Sequence, residues 1–301
     1  MDAQRTVGAP KPVISYFQAI VIGLLQGVTE LFPISSLGHS VLVPAWLGWD
    51  NLVTAQSQEE SFYLAFVVAL HVATALALLA YFRREWARII RGFFHTLRTR
   101  RIETPDERMA WLLVVATVPV GVIGLVFEHS LRTVFAKPLA SAVFLTLNGF
   151  ILLAGEGYRR RASRRPKPHT DDAISDLDRL DFKEAAAVGV AQTGALFAGI
   201  SRSGITMVAG LARGFDHEDA LRFSFLLATP IIFAAGIYKV PDLSGHLGDG
   251  IRGQALVGAL FAGAAAYLSV RFLVRFFETR TLTPFAIYCL AAGGISIIRF
   301  V

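Results

Sequence analysis

What this chain lacks narrows it first. Charged residues make up only 17% of its 301 positions, where a soluble domain carries about 25%. The hydrophobic share is 54% and the mean hydropathy is +0.52, so a soluble globule does not fit. The single cysteine, Cys289, lies inside an apolar run. Neither an intramolecular disulfide nor a cysteine metal cluster can form, and the expected place of Cys289 is the core. Residues 1–12 are polar and lack the short apolar stretch and small-residue cleavage site of a removable signal peptide; insertion is expected to rely on the spans themselves. No soluble block interrupts the apolar runs between Val13 and Val301, which predicts one integral membrane domain over 1–301.

Six runs are long enough to cross a bilayer, at 61–82, 109–127, 138–158, 220–239, 253–274 and 281–300, each near the ~20 residues a spanning helix needs. Two further apolar regions, 13–49 and 184–214, are interrupted at mid-depth. The first is broken by Pro33 with Ser35 and Ser36, the second by Gly199 with Ser201, Arg202, Ser203 and Gly204. Each reads as two half-helices around a polar break. Loops 83–108 and 159–183 hold eight Lys/Arg each, whereas 1–12, 128–137 and 240–252 hold two, two and one. The positive-inside rule puts the first two in the cytoplasm. Topology then accounts for the net charge of +6; the expected neighbours of these loops are anionic headgroups rather than nucleic acid.

The two broken regions superimpose without gaps at an offset of 166 residues. Ala19, Gly23, Gln26, Ile34, Ser35 and Gly38 fall on Ala185, Gly189, Gln192, Ile200, Ser201 and Gly204. If each region dips in and returns to its own side, three full spans separate them and the second copy is inverted relative to the first. The expected fold is therefore all-α: an inverted-topology repeat with six full spans and two broken re-entrant helix pairs. Repeat 1 would cover about 13–158 and repeat 2 about 184–300, with the tips meeting near the midplane.

The chemistry concentrates in the breaks. Gln26 and Glu30 are four apart and share a helix face, as do Ser36 and His39, three apart. A carboxylate inside the hydrocarbon costs about 2.5–3.5 kcal/mol and marks a functional site by default; the plainer alternative is a capped kink with Glu30 snorkelling to the interface. In the second break Arg202 stands between Ser201 and Ser203, with Gly199 and Gly204 close by and a helix following. A guanidinium fork at a helix N-terminus grips phosphate; the plainer alternative is a structural pair with Glu30.

The segments QGVTELFPISSLGH and GISRSGIT resemble the two signature motifs of the undecaprenyl-pyrophosphate phosphatases of the bacitracin-resistance type. The resemblance extends to 69–82 and 116–124. It implies an enzyme of the bacterial cytoplasmic membrane, its active site facing outside, which removes the terminal phosphate of undecaprenyl pyrophosphate to recycle the carrier lipid of cell-wall synthesis. It also implies a divalent metal, Mg²⁺ or Ca²⁺, and marks Gln26, Glu30, Ser36, His39, Ser201, Arg202, Ser203 and Thr206. Three positions depart from the family pattern: Gln26 where many relatives have Glu, Ala198 where the second motif has Pro, and Ala73 where relatives tend to have Gly.

Arg202 and the amides of 201–204, including Gly204, are expected to hold phosphoryl oxygens, with Ser201, Ser203 and Thr206 orienting them and Ser35 capping the half-helix that follows Pro33. Glu30, helped by Gln26, would hold the metal. Three nucleophiles remain open: Ser36 after His39 takes its proton, His39 itself, or water activated by His39. His71 lies in a span and could approach the site, though a hydrogen-bonded packing role is the expected one. His95, His129, His169, His217 and His246 form no ligand spacing, and Arg213, Arg222, Arg275 and Arg280 fit cytoplasmic helix ends. Small residues from Gly258 to Ala266 would permit a homodimer as easily as packing within one chain. The rival reading is a polyprenyl-phosphate transporter or flippase, since broken helices in inverted repeats are a transporter design; a non-catalytic scaffold is the third.

Overall fold

The computed structural model describes residues 14–56, 58, 61–135, 137–162, 180–245 and 248–301, except the side chains of 128–135 and 162. The stretch 1–13, the basic segment 163–179, the side chain of His129, and His169 and His246 lie outside the described residues. Every regular element described is helical. The helices are α1 (Tyr16–Thr29), α2 (Ser36–Trp46), α3 (Asp50–Gln56), α4 (Phe62–Tyr81), α5 (Arg83–Thr99), α6 (Pro105–Phe135), α7 (Pro138–Ala162), α8 (Phe182–Ala191), α9 (Arg202–Ala212), α10 (His217–Lys239), α11 (Arg252–Phe277) and α12 (Thr283–Phe300). Short 3-10 turns follow α8 and α10.

Six of these are long and apolar enough to cross a membrane: α4, α6, α7, α10, α11 and α12. They coincide with the six predicted runs, and the chain is a multi-pass membrane protein. Their outward faces stay apolar: Ile298 is 84% exposed, Ile237 78% and Leu125 67%. Exposed apolar surface on this scale belongs against lipid.

The basic region read as the loop 83–108 is mostly helix. Hydropathy averaged along the chain misses α5 because its apolar residues occupy one face only. Ile89 and Thr96 are buried while the arginines point outward. The helix is fixed to α6 by Trp111 Nε1 donating to Thr96 Oγ1 at 2.8 Å and by His95 Nδ1 against Glu107 at 2.7 Å. The other short element not expected from sequence is α3, which packs beneath α4.

The small residues of α11 are used within the chain. Its Gly258, Ala262, Ala265 and Ala266 receive Gly23 and Gly27 of α1 at backbone contact. The equivalent position on α8, Gly189, meets Ala116 of α6 in the same way. Close crossings of this kind replace the hydrophobic drive that lipid cannot supply between helices. They carry α1 and α8 inward, and with them the two breaks.

Candidate functional site

The first half-helix ends earlier than Pro33 alone requires. α1 stops at Thr29, and a turn carries the chain through 30–34; the pre-proline restriction acts only at Phe32. Glu30 caps α1, with its N–H bonded to the Gln26 carbonyl at 3.0 Å. Ser35 takes a left-handed backbone (φ 71°), and its hydroxyl accepts from Gly38 N at 3.2 Å, starting α2. In the second break the chain passes through Gly199 at φ 118°, and Ser201 then caps α9 by accepting from Gly204 N at 3.1 Å. Both half-helices thus begin on the same serine bond.

The two breaks touch. Gly199 N donates to Ser35 Oγ at 3.1 Å, and a Cβ on Gly38 would stand 2.8 Å from the Gly199 Cα. A Cβ on Gly199 would in turn lie 2.6 Å from Leu145 N. Only glycine permits this approach. Asn148 of α7 bolts the pair together: its Nδ2 donates to the Pro33 carbonyl at 3.0 Å, and its Oδ1 accepts from Ser201 N at 2.9 Å. Ser203 Oγ, 3.0 Å from Ser201 Oγ, reaches the Phe32 carbonyl at 3.3 Å.

Across this junction Arg202 Nη2 meets Glu30 Oε1 at 2.6 Å. The Arg202 side chain is 15% exposed and that of Glu30 6%, so the pair is nearly closed off. The other carboxylate oxygen, Oε2, accepts from the Ser36 hydroxyl in a short bond and from Gln26 Nε2 at 3.2 Å, and lies 3.1 Å from His71 Nε2. Arg202 Nη1 is buried and has no partner among the described residues. A donor left so is unfavourable by about 1–3 kcal/mol, which a bound oxyanion would remove.

Residues 19–295 match the family described as bacitracin resistance protein BacA. This chain belongs to that family. Its relatives include proteins named undecaprenyl-diphosphatase 2 from Frankia alni, 57% identical over 95% of this chain and 98% of the relative, and undecaprenyl-diphosphatase from Mycolicibacterium paratuberculosis, 56% identical over 95% and 97%. A more distant one, undecaprenyl-diphosphatase 2 of Chromobacterium violaceum, is 42% identical over 93% of this chain.

The family motifs map onto the junction unevenly. Gln26, Glu30, Ser36 and Arg202 converge directly, and Ser35, Ser201 and Ser203 hold the backbone around them. His39 sits apart from the Ser36 hydroxyl bond. Its Nδ1 donates to the Ser35 carbonyl at 2.7 Å, and in the neutral ring Nε2 accepts from the Tyr288 hydroxyl at 2.7 Å. Thr206 turns back onto the Arg202 carbonyl at 2.9 Å. Two of the four amides expected to face phosphate, those of Ser201 and Gly204, already bond Asn148 and Ser201. The amides of Arg202 and Ser203 belong to the first turn of α9, which has no helical carbonyl to meet them.

Three further residues belong to this site. His71, read as a packing residue, lies against Glu30, while its Nδ1 donates to the Val67 carbonyl at 2.8 Å. That backbone bond fixes the ring so that Nε2 faces the carboxylate. Asn148 and Tyr288 carry no motif, and nothing local in the sequence marks them. For His71 the signal was present: an imidazole within an otherwise apolar span is itself a functional indicator.

Proposed function

We propose that this protein hydrolyses undecaprenyl pyrophosphate to undecaprenyl phosphate and inorganic phosphate in the bacterial cytoplasmic membrane, with the site open to the outer face. The observation that carries the reading is the Arg202–Glu30 pair with one guanidinium nitrogen left unpaired. Arg202 binds the terminal phosphoryl oxygens through that nitrogen, and the amides of Arg202 and Ser203 add two donors at the positive end of α9. Ser36 is the nucleophile. Its proton goes to Glu30 Oε2, to which it is already bonded. The Ser36 Oγ–phosphorus bond forms as the bridging P–O bond breaks and polyprenyl phosphate departs. Water then cleaves the phosphoserine, releasing phosphate and returning the hydroxyl. His71 and Gln26 hold the carboxylate in place from two sides; His39, engaged by Ser35 and Tyr288, braces the start of α2.

Among the described residues no group of three His, Cys, Asp or Glu gathers as a closed metal cage. The donor set at the junction nonetheless suits a hard cation completed by substrate: the Glu30 carboxylate, the Gln26 amide and the Ser36 hydroxyl all carry oxygen. Glu30 and Gln26 would hold Mg²⁺ or Ca²⁺ there, and the ion would supply charge neutralisation on the diphosphate. The site is built within one chain, so the reading stands equally for a monomer and a homodimer.

Purified protein in detergent should release inorganic phosphate from a prenyl diphosphate in the presence of Mg²⁺ or Ca²⁺. The meeting of two broken helices also suits a polyprenyl-phosphate transporter or flippase. Movement of a labelled polyprenyl phosphate across vesicle membranes without phosphate release would favour that reading instead.

A further inference from the structure

The C-terminal end of α11, whose Phe272 stacks on Phe32 of the first break at 5.9 Å between ring centroids, carries a second concentration of arginine. We propose that this end of α11 carries a binding site for the headgroup of an anionic glycerophospholipid, built from other residues than the Glu30–Arg202 pair. The last ten residues of α11 and the turn after it present two neighbouring rows at helical spacing of four. Leu268, Phe272 and Phe276 form one and continue to Arg280; Arg271, Arg275 and Thr279 form the other. Between them is a cavity of about 450 Å³ lined by just these residues. One wall is apolar and turned outward, with Leu268 65% and Phe272 51% exposed, as an acyl chain requires. Arg271, Arg275, Thr279 and Arg280 line the rest of it.

Arginines at the end of a spanning helix are ordinary, because they favour the negative end of the helix and the cytoplasmic headgroups. These three line a common pocket, and they lack the carboxylate partners that several neighbours have. At the same end of the molecule Arg222 pairs with Glu85 at 2.8 Å, Arg88 with Asp106 at 3.2 Å, and Arg213 with Glu184. Among the described residues Arg271, Arg275 and Arg280 have no such carboxylate. That they share this basic end follows from Leu282 N, in the turn after α11, donating to Glu156 of α7 at 2.6 Å, close to Arg159, Arg160 and Arg161. Three arginines lining one cavity beside an apolar ridge match a phosphate that is tethered to a chain. The surface charge of the leaflet names its source as the bilayer lipid.

The test uses the full-length protein in detergent, with bound lipid counted by native mass spectrometry and affinity measured by titration with phosphatidylglycerol. Wild type should retain phosphatidylglycerol and not phosphatidylcholine. The R271Q/R275Q/R280Q variant should bind it at least about fivefold more weakly, the change that even one basic residue near an anionic surface produces. The R98Q/R100Q/R101Q variant, which loses the same charge from the end of α5, should bind like wild type, and R275Q alone should fall between. Phosphate release by the triple variant should match wild type, which shows that it is folded. Equal weakening in both triple variants, or none in the α11 variant, overturns the proposal. So does displacement of the lipid by inorganic phosphate at equal concentration, or retention of a prenyl phosphate in its place.

Discussion

The two breaks share a scaffold and divide the chemistry. Each starts its second half-helix on a serine that accepts from the glycine three residues on, Ser35 from Gly38 and Ser201 from Gly204. Each holds one residue at positive φ, yet at different places: Ser35 at 71° in the first and Gly199 at 118° in the second. The first break brings its charge before the turn, as Glu30; the second brings it after, as Arg202. Two equivalent helix starts therefore face one another with opposite side-chain charge. The hydrogen bond from Gly199 N to Ser35 Oγ joins the two breaks, and the differences between them account for what can happen there. Two like halves would have put either two carboxylates or two guanidiniums in one buried place, which is strongly unfavourable.

The sharpest way to break this division is to remove the cation. Arg202→Ala should lower phosphate release by about 10³-fold or more and lower the thermal unfolding midpoint, because Glu30 loses a buried partner, and Arg202→Lys should recover only part, because a point charge cannot bridge Glu30 and a phosphoryl group together. An Arg202→Ala protein that turned over near the wild-type rate would remove the second break from the chemistry. A smaller loss, about 10²–10³-fold, is expected for Glu30→Gln and for Ser36→Ala. The double variant should be little worse than either alone, since the two act as one unit; additive losses measured in this cycle would separate Ser36 from Glu30. The least effect belongs to the caps. Ser201→Ala should lower stability by about 1 kcal/mol. Ser35→Ala should lower it further, because Ser35 Oγ also accepts from Gly199 N at 3.1 Å and so joins the breaks. Denaturation midpoints of the two variants compare them directly, and equal losses would mean the inter-break bond contributes nothing.

Glu30 and Arg202 stood out because a charged residue inside an apolar run marks a functional site by default, and Ser36 because it belongs to the first motif. The motifs pointed to His39 as the partner of Ser36 because residues three apart on a helix share a face. That spacing rule holds within α2, but the hydroxyl finds a stronger acceptor, Glu30, across the turn. The basic region 83–108 misled for a related reason. Averaged hydropathy records how apolar a segment is, and not that Ile89 and Thr96 of α5 fall on one side.

The sequence alone determined the solvent, the number of spans and the two places where polar groups interrupt them, since the bilayer penalises each unsatisfied group wherever it stands in the chain. It also determined the small residues at Gly23, Gly38 and Gly199, whose lack of a side chain lets backbones meet. Only the tertiary structure decided which groups those interruptions would face. His71 from α4, Asn148 from α7 and Tyr288 from α12 reach the breaks from far along the chain. Local spacing holds no record of such partners, because they are set by how six packed helices cross.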